Sequence, residues 1–322
     1  MQDKIIAVLN EMSDCLTPTQ MKRLQESLLQ HFAENEAPKD LVDNAEYLRL
    51  YLDAKRIEGC SERTIAYYRA TIERMLQSIL TPIRKMTTEE IRKYLVDYQK
   101  VNNCSKVTVD NVRRNISGFF SWLEEEDYIL KSPMRRIHKI KTRQNVKHTI
   151  SDEDIEKLRD GCGCLRDLAI IDLLYSTGIR VGELVNLNRA DIDFEERECV
   201  VFGKGGKERR VYFDARAKLH LQKYLASRID SNPAVFVTLD APHRRLHISG
   251  VEIRIRELGR KLHLEKIHPH KFRRTMATRA IDKGMPIEQV QKILGHSQID
   301  TTMQYAMVNQ SNVKTSHRRY IA

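Results

Sequence analysis

The chain's 322 residues suffice for two ordinary domains with a buried core, and a composition of 41% hydrophobic and 31% charged residues excludes a disordered or membrane-embedded chain. The formal net charge of +11 points to a polyanionic partner rather than to a lipid surface, because the densest basic stretch has no apolar face. No apolar run is long enough to span a bilayer, and the N-terminus carries Asp3 and Glu11 without a cleavage signal, so the cytoplasm is the default compartment.

Residues 1–40 read as a short helical extension. Thr17 is an N-cap, Pro18 the first helical position and Gln20 the capping-box partner, followed by Met21, Leu24, Leu28 and Phe32 at helical spacing. Residues 41–133 read as an all-helical block. Ser61 caps a helix with Ile65, Tyr68, Ile72, Leu76 and Ile79 on one face; Thr87 and Glu90 form another capping box; Val109, Val112, Ile116, Phe119 and Leu123 make a third apolar face. Between these faces lie Arg63, Arg69, Arg74, Lys106, Arg113 and Arg114, candidates for contact with phosphates. Pro133 marks a boundary, and residues 131–150 hold seven Lys or Arg and no acid, which suits a basic linker over 134–150, with Lys139, Lys141 and Arg143 lying along a nucleic-acid backbone.

The last block, 151–322, mixes helices with a little β structure. Ser151 and Asp154 open a helix, and Leu168, Ile171, Leu174 and Tyr175 form the buried face of the next. Residues 199–202 and 210–213 flank the glycine-rich stretch G-K-G-G-K and predict a β-hairpin. The six cysteines are scattered, and Cys162 with Cys164 lacks zinc or redox spacing, so reduced thiols are expected.

Four segments in this block, together with a tyrosine, can carry chemistry. They are T-G-I-R-V-G-E-L at 177–184, the G-K-G-G-K turn at 203–207, H-P-H-K-F-R-R-T at 268–275, and L-G-H at 294–296 followed by Tyr305. A phosphodiester repels nucleophiles and gathers charge on its oxygens in the transition state, so its cleavage needs preorganised cations. Arg180 and Arg273 suit that task, since a guanidinium stays charged and donates two parallel hydrogen bonds. Gly178 permits a tight turn before Arg180, which would open the next helix, where amide groups also favour an anion. His270 and Arg273 stand three apart and share a helix face. Tyrosine can form a reversible phosphate ester, but at neutral pH only about one free tyrosine in a thousand is ionised. His270 is a candidate base, Lys204 a candidate proton donor to the departing oxygen, and His296 a hydrogen-bond donor to the phosphate. Zinc at His268 and His270 lacks further ligands at suitable spacing.

Together these segments resemble the tyrosine recombinases, the phage integrase family, whose pattern is an Arg in T-G-x-R-x-x-E-L, a Lys in a G-K-G hairpin, H-x-x-R, L-G-H, and a Tyr nine residues later. The resemblance implies that Arg180, Lys204, His270, Arg273 and His296 assist the nucleophile Tyr305, with Glu183 holding Arg180. Arg274 stands where relatives often carry His, which bears on a backbone phosphate contact. The implied fold is mostly α with a small β-hairpin: a two-domain, C-shaped DNA clamp in which an all-helical core-binding domain precedes an α+β catalytic domain. The implied activity is site-specific recombination of double-stranded DNA through a 3′-phosphotyrosyl intermediate, by a homotetramer on two sites, with room for accessory proteins and without cofactor, metal or ATP. A type IB topoisomerase and a non-catalytic DNA-binding regulator are the alternatives; the separate helical block speaks against the first, and the complete residue set against the second.

Overall fold

The computed structural model describes residues 8–13, 15–34, 43–141, 148–203, 206, 208–264 and 266–306. The chain divides into two units, Met1–Gln144 and Asn145–Ala322. Both are built mainly of helices, and the second contains a small antiparallel sheet. Among the described residues no helix is long and apolar enough to cross a membrane.

The first unit contains α1 (Pro18–Glu34), α2 (Asn44–Ile57), α3 (Glu62–Ser78), α4 (Thr88–Val101) and α5 (Lys106–Glu125). Their starts are set locally. The Thr17 amide and hydroxyl both donate to Gln20 Oε1, at 3.0 and 2.8 Å. Ser61 accepts from the Thr64 amide, and Thr87 and Glu90 cap α4 reciprocally. The five apolar residues anticipated on α5 are all buried; Phe119 meets Tyr51 edge-on at 5.2 Å, and Ile65, Ile72 and Ile91 close the core around them.

The basic run behaves differently from the linker expected over 134–150. Its first part belongs to the first unit: Pro133–Arg136 forms a 3-10 turn, Met134 is buried, and Ile137 and Ile140 pack against the same core. The reason lies in the sequence, because Met134, Ile137 and Ile140 recur every third residue and give the run an apolar edge beneath its charges, contrary to the expectation that it has none. Backbone contacts hold it down as well. Arg92 donates to the Arg136 carbonyl at 3.1 Å, and the Ile140 amide donates to Asp110 Oδ1 at 3.0 Å. Asp110 also pairs with Arg113 at 2.8 Å, and both side chains are about nine-tenths buried. Arg113 is thereby paired and largely buried, whereas Arg63, Arg69, Lys106, Arg114, Lys139 and Lys141 are exposed. Arg143 lies outside the described residues. Ile150, at the far end of the run, is buried in the second unit.

The second unit contains α6 (Asp152–Asp160), α7 (Leu165–Thr177), α8 (Val181–Asn186), β1 (Ile192–Asp193), β2 (Glu198–Phe202), β3 (Glu208–Tyr212), α9 (Ala215–Ala226), α10 (Ile248–Lys261), α11 (Pro269–Asp282), α12 (Ile287–Leu294) and α13 (Ile299–Ala306). Helix α7 is its axis: Ala169, Ile170, Ile171, Leu173 and Leu174 are all buried, and α9 and α11 pack against it. The strand order is β1-β2-β3, antiparallel, with Val201 opposite Arg209 and Val200 opposite Arg210. Strand β1 was not anticipated, since two residues carry no legible period.

Replacing Asp110 by Ala leaves the Arg113 charge buried and uncompensated and the Ile140 amide unpaired. The expected cost is about 3 kcal/mol in urea unfolding of the first unit. A loss under about 0.5 kcal/mol, the range of a neutral surface change, would contradict the anchoring role.

Candidate active site

Two helix ends set the positions of the candidate side chains. Helix α7 stops at Gly178 and α12 stops at Gly295, both in the left-handed conformation with φ of 63°. A Cβ on Gly178 would stand 2.2 Å from the Met276 methyl, and one on Gly295 would stand 3.0 Å from Arg209 Cδ. Each glycine is favoured by its backbone conformation, and a side chain in its place would displace the Met276 methyl or press on Arg209.

The last carbonyls of α12 and its cap have no partner within the helix, and three guanidiniums take them. Arg209 Nε donates to the Ile293 carbonyl at 2.8 Å, Arg273 Nη2 to Leu294 at 2.5 Å, and Arg180 Nη2 to Gly295 at 3.3 Å. The negative end of a helix is a favourable place for cations. Arg273 also donates to the Gly178 carbonyl at 2.7 Å and is nearly inaccessible to solvent. Arg180 occupies the N-cap position of α8, a helix of only six residues, so anion binding there rests on the guanidinium more than on the helix.

Glu183 lies among the arginines. Its Oε1 accepts from Arg180 Nη1 at 2.9 Å, its Oε2 from the Arg180 amide at 2.8 Å, and Arg209 grips both oxygens at 2.7 and 2.8 Å. Burial pushes the Glu183 pKa up, but the bonds from Arg209 and Arg180 more than offset it, and the carboxyl stays below its ordinary value. Arg209 was not anticipated as a site residue. Strand alternation could have flagged it, because Arg209 and Val211 share the inward face of β3, but nothing in the sequence names its partner.

His296 follows Gly295 and contacts both Arg273 and Tyr305. Its Nε2 faces Arg273 Nη2 at 3.0 Å, its Nδ1 faces Thr302 Oγ1 at 2.9 Å, and its ring stacks on that of Tyr305 with centroids 6.1 Å apart. A guanidinium can only donate, so Nε2 accepts and the proton sits on Nδ1, directed at Thr302. The expected donation from His296 to a phosphate is therefore not the arrangement seen here. It requires Arg273 to release Nε2 and the Thr302 hydroxyl to turn round and donate to Nδ1. Burial and the charges of Arg273, Arg180 and Arg209 hold His296 down to about 4.

His270 lies one turn before Arg273 on α11, and partial burial and the Arg273 charge lower its pKa, although the residue is exposed at the surface. It lines a cleft of about 560 Å³ with His148, Lys266, Lys271, Arg274 and Tyr305. Arg274 donates to the His148 carbonyl at 3.0 Å, which ties the entry of the second unit to α11. Lys204 lies outside the described residues. The structure thus brings Arg180, Glu183, Arg273, His270, His296 and Tyr305 to one place, with Arg209 and Thr302 added.

The phage integrase family model matches residues 145–312, and that of the phage integrase N-terminal SAM-like domain matches residues 48–130. The chain belongs to the phage integrase family, and is a site-specific tyrosine recombinase. Tyrosine recombinase XerC of Leptospira interrogans is 33% identical over 71% of this chain and 77% of its own length. The XerC of Oceanobacillus iheyensis is 28% identical over 85% of this chain and 95% of its own. Among solved structures, the Tn1549 transposon integrase in complex with a circular intermediate DNA superposes with a TM-score of 0.72 at 19% identity, covering 85% of this chain and 99% of that one. A lambda integrase dimer bound to a core site superposes with a TM-score of 0.68 at 18% identity, covering 90% and 86%. These two likenesses concern the fold.

The His296 surroundings predict a pH dependence. Its folded pKa lies below the usual value of about 6.5 for a free histidine, so the unfolded chain takes up the proton first, and the recombinase loses stability as pH falls from about 6.5 toward 4. An NMR titration of the His296 ring should find it neutral at pH 6 with a midpoint near 4. A midpoint near 6.5 would contradict the cationic surroundings described.

Proposed function

We propose that the chain cleaves and rejoins double-stranded DNA one strand at a time, with Tyr305 as nucleophile. The observation that carries this reading is the convergence of Arg180, Arg273, His270 and His296 beside Tyr305, in a cluster whose positive charge exceeds its negative. The scissile phosphate sits against Arg180 and accepts hydrogen bonds from it, and Arg273 joins in once it releases His296 Nε2 and the Leu294 carbonyl. His270 accepts the phenolic proton as the Tyr305 oxygen attacks phosphorus. The bond from phosphorus to the 5′ oxygen breaks, and Lys204, between β2 and β3 in sequence, protonates that oxygen. The products are a 3′-phosphotyrosyl ester and a free 5′ hydroxyl. A 5′ hydroxyl of the partner strand reverses the steps and reseals the backbone.

The bond energy is kept in the ester, so no ATP is consumed, and the guanidiniums supply the charge stabilisation for which other phosphoryl transferases use metal ions. The site has the groups needed for one cleavage, so two DNA sites with four strands call for four copies, a homotetramer. Exposed Arg63, Arg69, Lys106, Arg114, Lys139 and Lys141 of the first unit, with Arg274 of the second, contact the same duplex through its phosphates.

A nicked suicide substrate, from which the short 5′ fragment diffuses away, tests this directly. With chelator present and no nucleotide, the recombinase should give a covalent protein–DNA band on a denaturing gel, and Tyr305→Phe should give none. Absence of the band from the unaltered protein, or its persistence in Tyr305→Phe, would overturn the proposal.

A further inference from the structure

A carboxylate that orients a phosphate-binding arginine has a defect built into it. Glu183 fixes Arg180 through two hydrogen bonds, but its own charge cancels the attraction that Arg180 would exert on a phosphate. The defect is serious here because Glu183 is buried and screened little by water. Arg209 stands where it removes that defect. It bonds both carboxylate oxygens, its side chain is 12% exposed, and its Nε holds the Ile293 carbonyl at 2.8 Å. Its place is reserved by Gly295, whose missing side chain is the space that Arg209 fills.

We propose that Arg209 is a positioning residue that neutralises Glu183, so that Glu183 can orient Arg180 while leaving the full charge of Arg180 and Arg273 directed at the scissile phosphate. Arg209 also sits on β3, five residues after Lys204 in sequence, and its Nε grips the segment leading through Gly295 and His296 to Tyr305. One side chain thus ties β3 to the helix pair that carries Tyr305. This inference rests on the cleavage reaction proposed above. It adds to that reaction a residue that touches neither DNA nor the reacting atoms.

The test uses the full-length protein and the nicked suicide substrate, with single-turnover covalent-complex formation as readout and DNA affinity measured separately by gel shift. Arg209→Met leaves Glu183 to cancel Arg180, and should slow cleavage about a hundredfold with affinity changed little. Arg209→Lys keeps a cation beside Glu183 and should stay within about tenfold of the unaltered protein. The double variant Arg209→Met/Glu183→Gln removes the uncompensated carboxylate together with its partner, and should cleave at least about tenfold faster than Arg209→Met alone. A residue needed only for folding would show no such recovery.

Cleavage by Arg209→Met at the unaltered rate, or a double variant no faster than the single one, would overturn the proposal. Should circular dichroism show Arg209→Met unfolded, Arg209→Lys decides alone: a rate within about tenfold sustains the proposal, and a loss as complete as that of Tyr305→Phe overturns it. Failure of the unaltered protein to form the covalent complex would instead sink the cleavage reaction itself.

Discussion

Three arginines meet at the C-terminal end of α12, each bonded to a different one of the carbonyls of Ile293, Leu294 and Gly295. Like charges do not gather without cause, and here the helix end and one buried carboxylate supply only part of the compensation. Arg180, Arg209 and Arg273 bring three positive charges against the single negative charge of Glu183. The excess is felt by the neighbours: His296 is pushed down to about 4, and burial together with Arg180 lowers even the Arg273 guanidinium. A site that resists further positive charge in this way is one in which an anion gains the most.

The backbone is arranged around that cluster. Gly178 and Gly295 end their helices in the same left-handed conformation, and each leaves a carbonyl facing a guanidinium. A side chain at Gly178 would displace the Met276 methyl and one at Gly295 would press on Arg209, so the turns, the packing and the charge cluster bear on one another. His296 follows directly from the second turn, and α13 brings Tyr305 back against its ring. The place of Tyr305 is in this sense a consequence of where α12 stops.

Much of this site was legible because its parts are short and locally marked. Glycine before Arg180, the three-residue spacing of His270 and Arg273, and glycine before His296 each declare a turn or a shared helix face. Arg209 was not legible, because its partner Glu183 lies 26 residues away and strand alternation gives a direction without a partner. Thr302 escaped for the same reason, a hydroxyl that matters only once α13 folds back on His296. In the first unit the capping pairs and the α5 face were plain from spacing. The docking of residues 133–141 was not, since its charges hide the every-third-residue apolar edge and its anchor, Asp110, sits 30 residues earlier.

The central claim is that the arginine cluster acts on the negative charge of one phosphate. It is tested most directly by replacing the scissile phosphodiester with a neutral methylphosphonate and comparing Arg180→Ala with the unaltered recombinase on both substrates. The account predicts a loss of about a hundred- to a thousandfold on the charged substrate and a loss at least about tenfold smaller on the neutral one. Equal losses on the two substrates would show that Arg180 serves the fold or the docking of DNA, and would contradict the account.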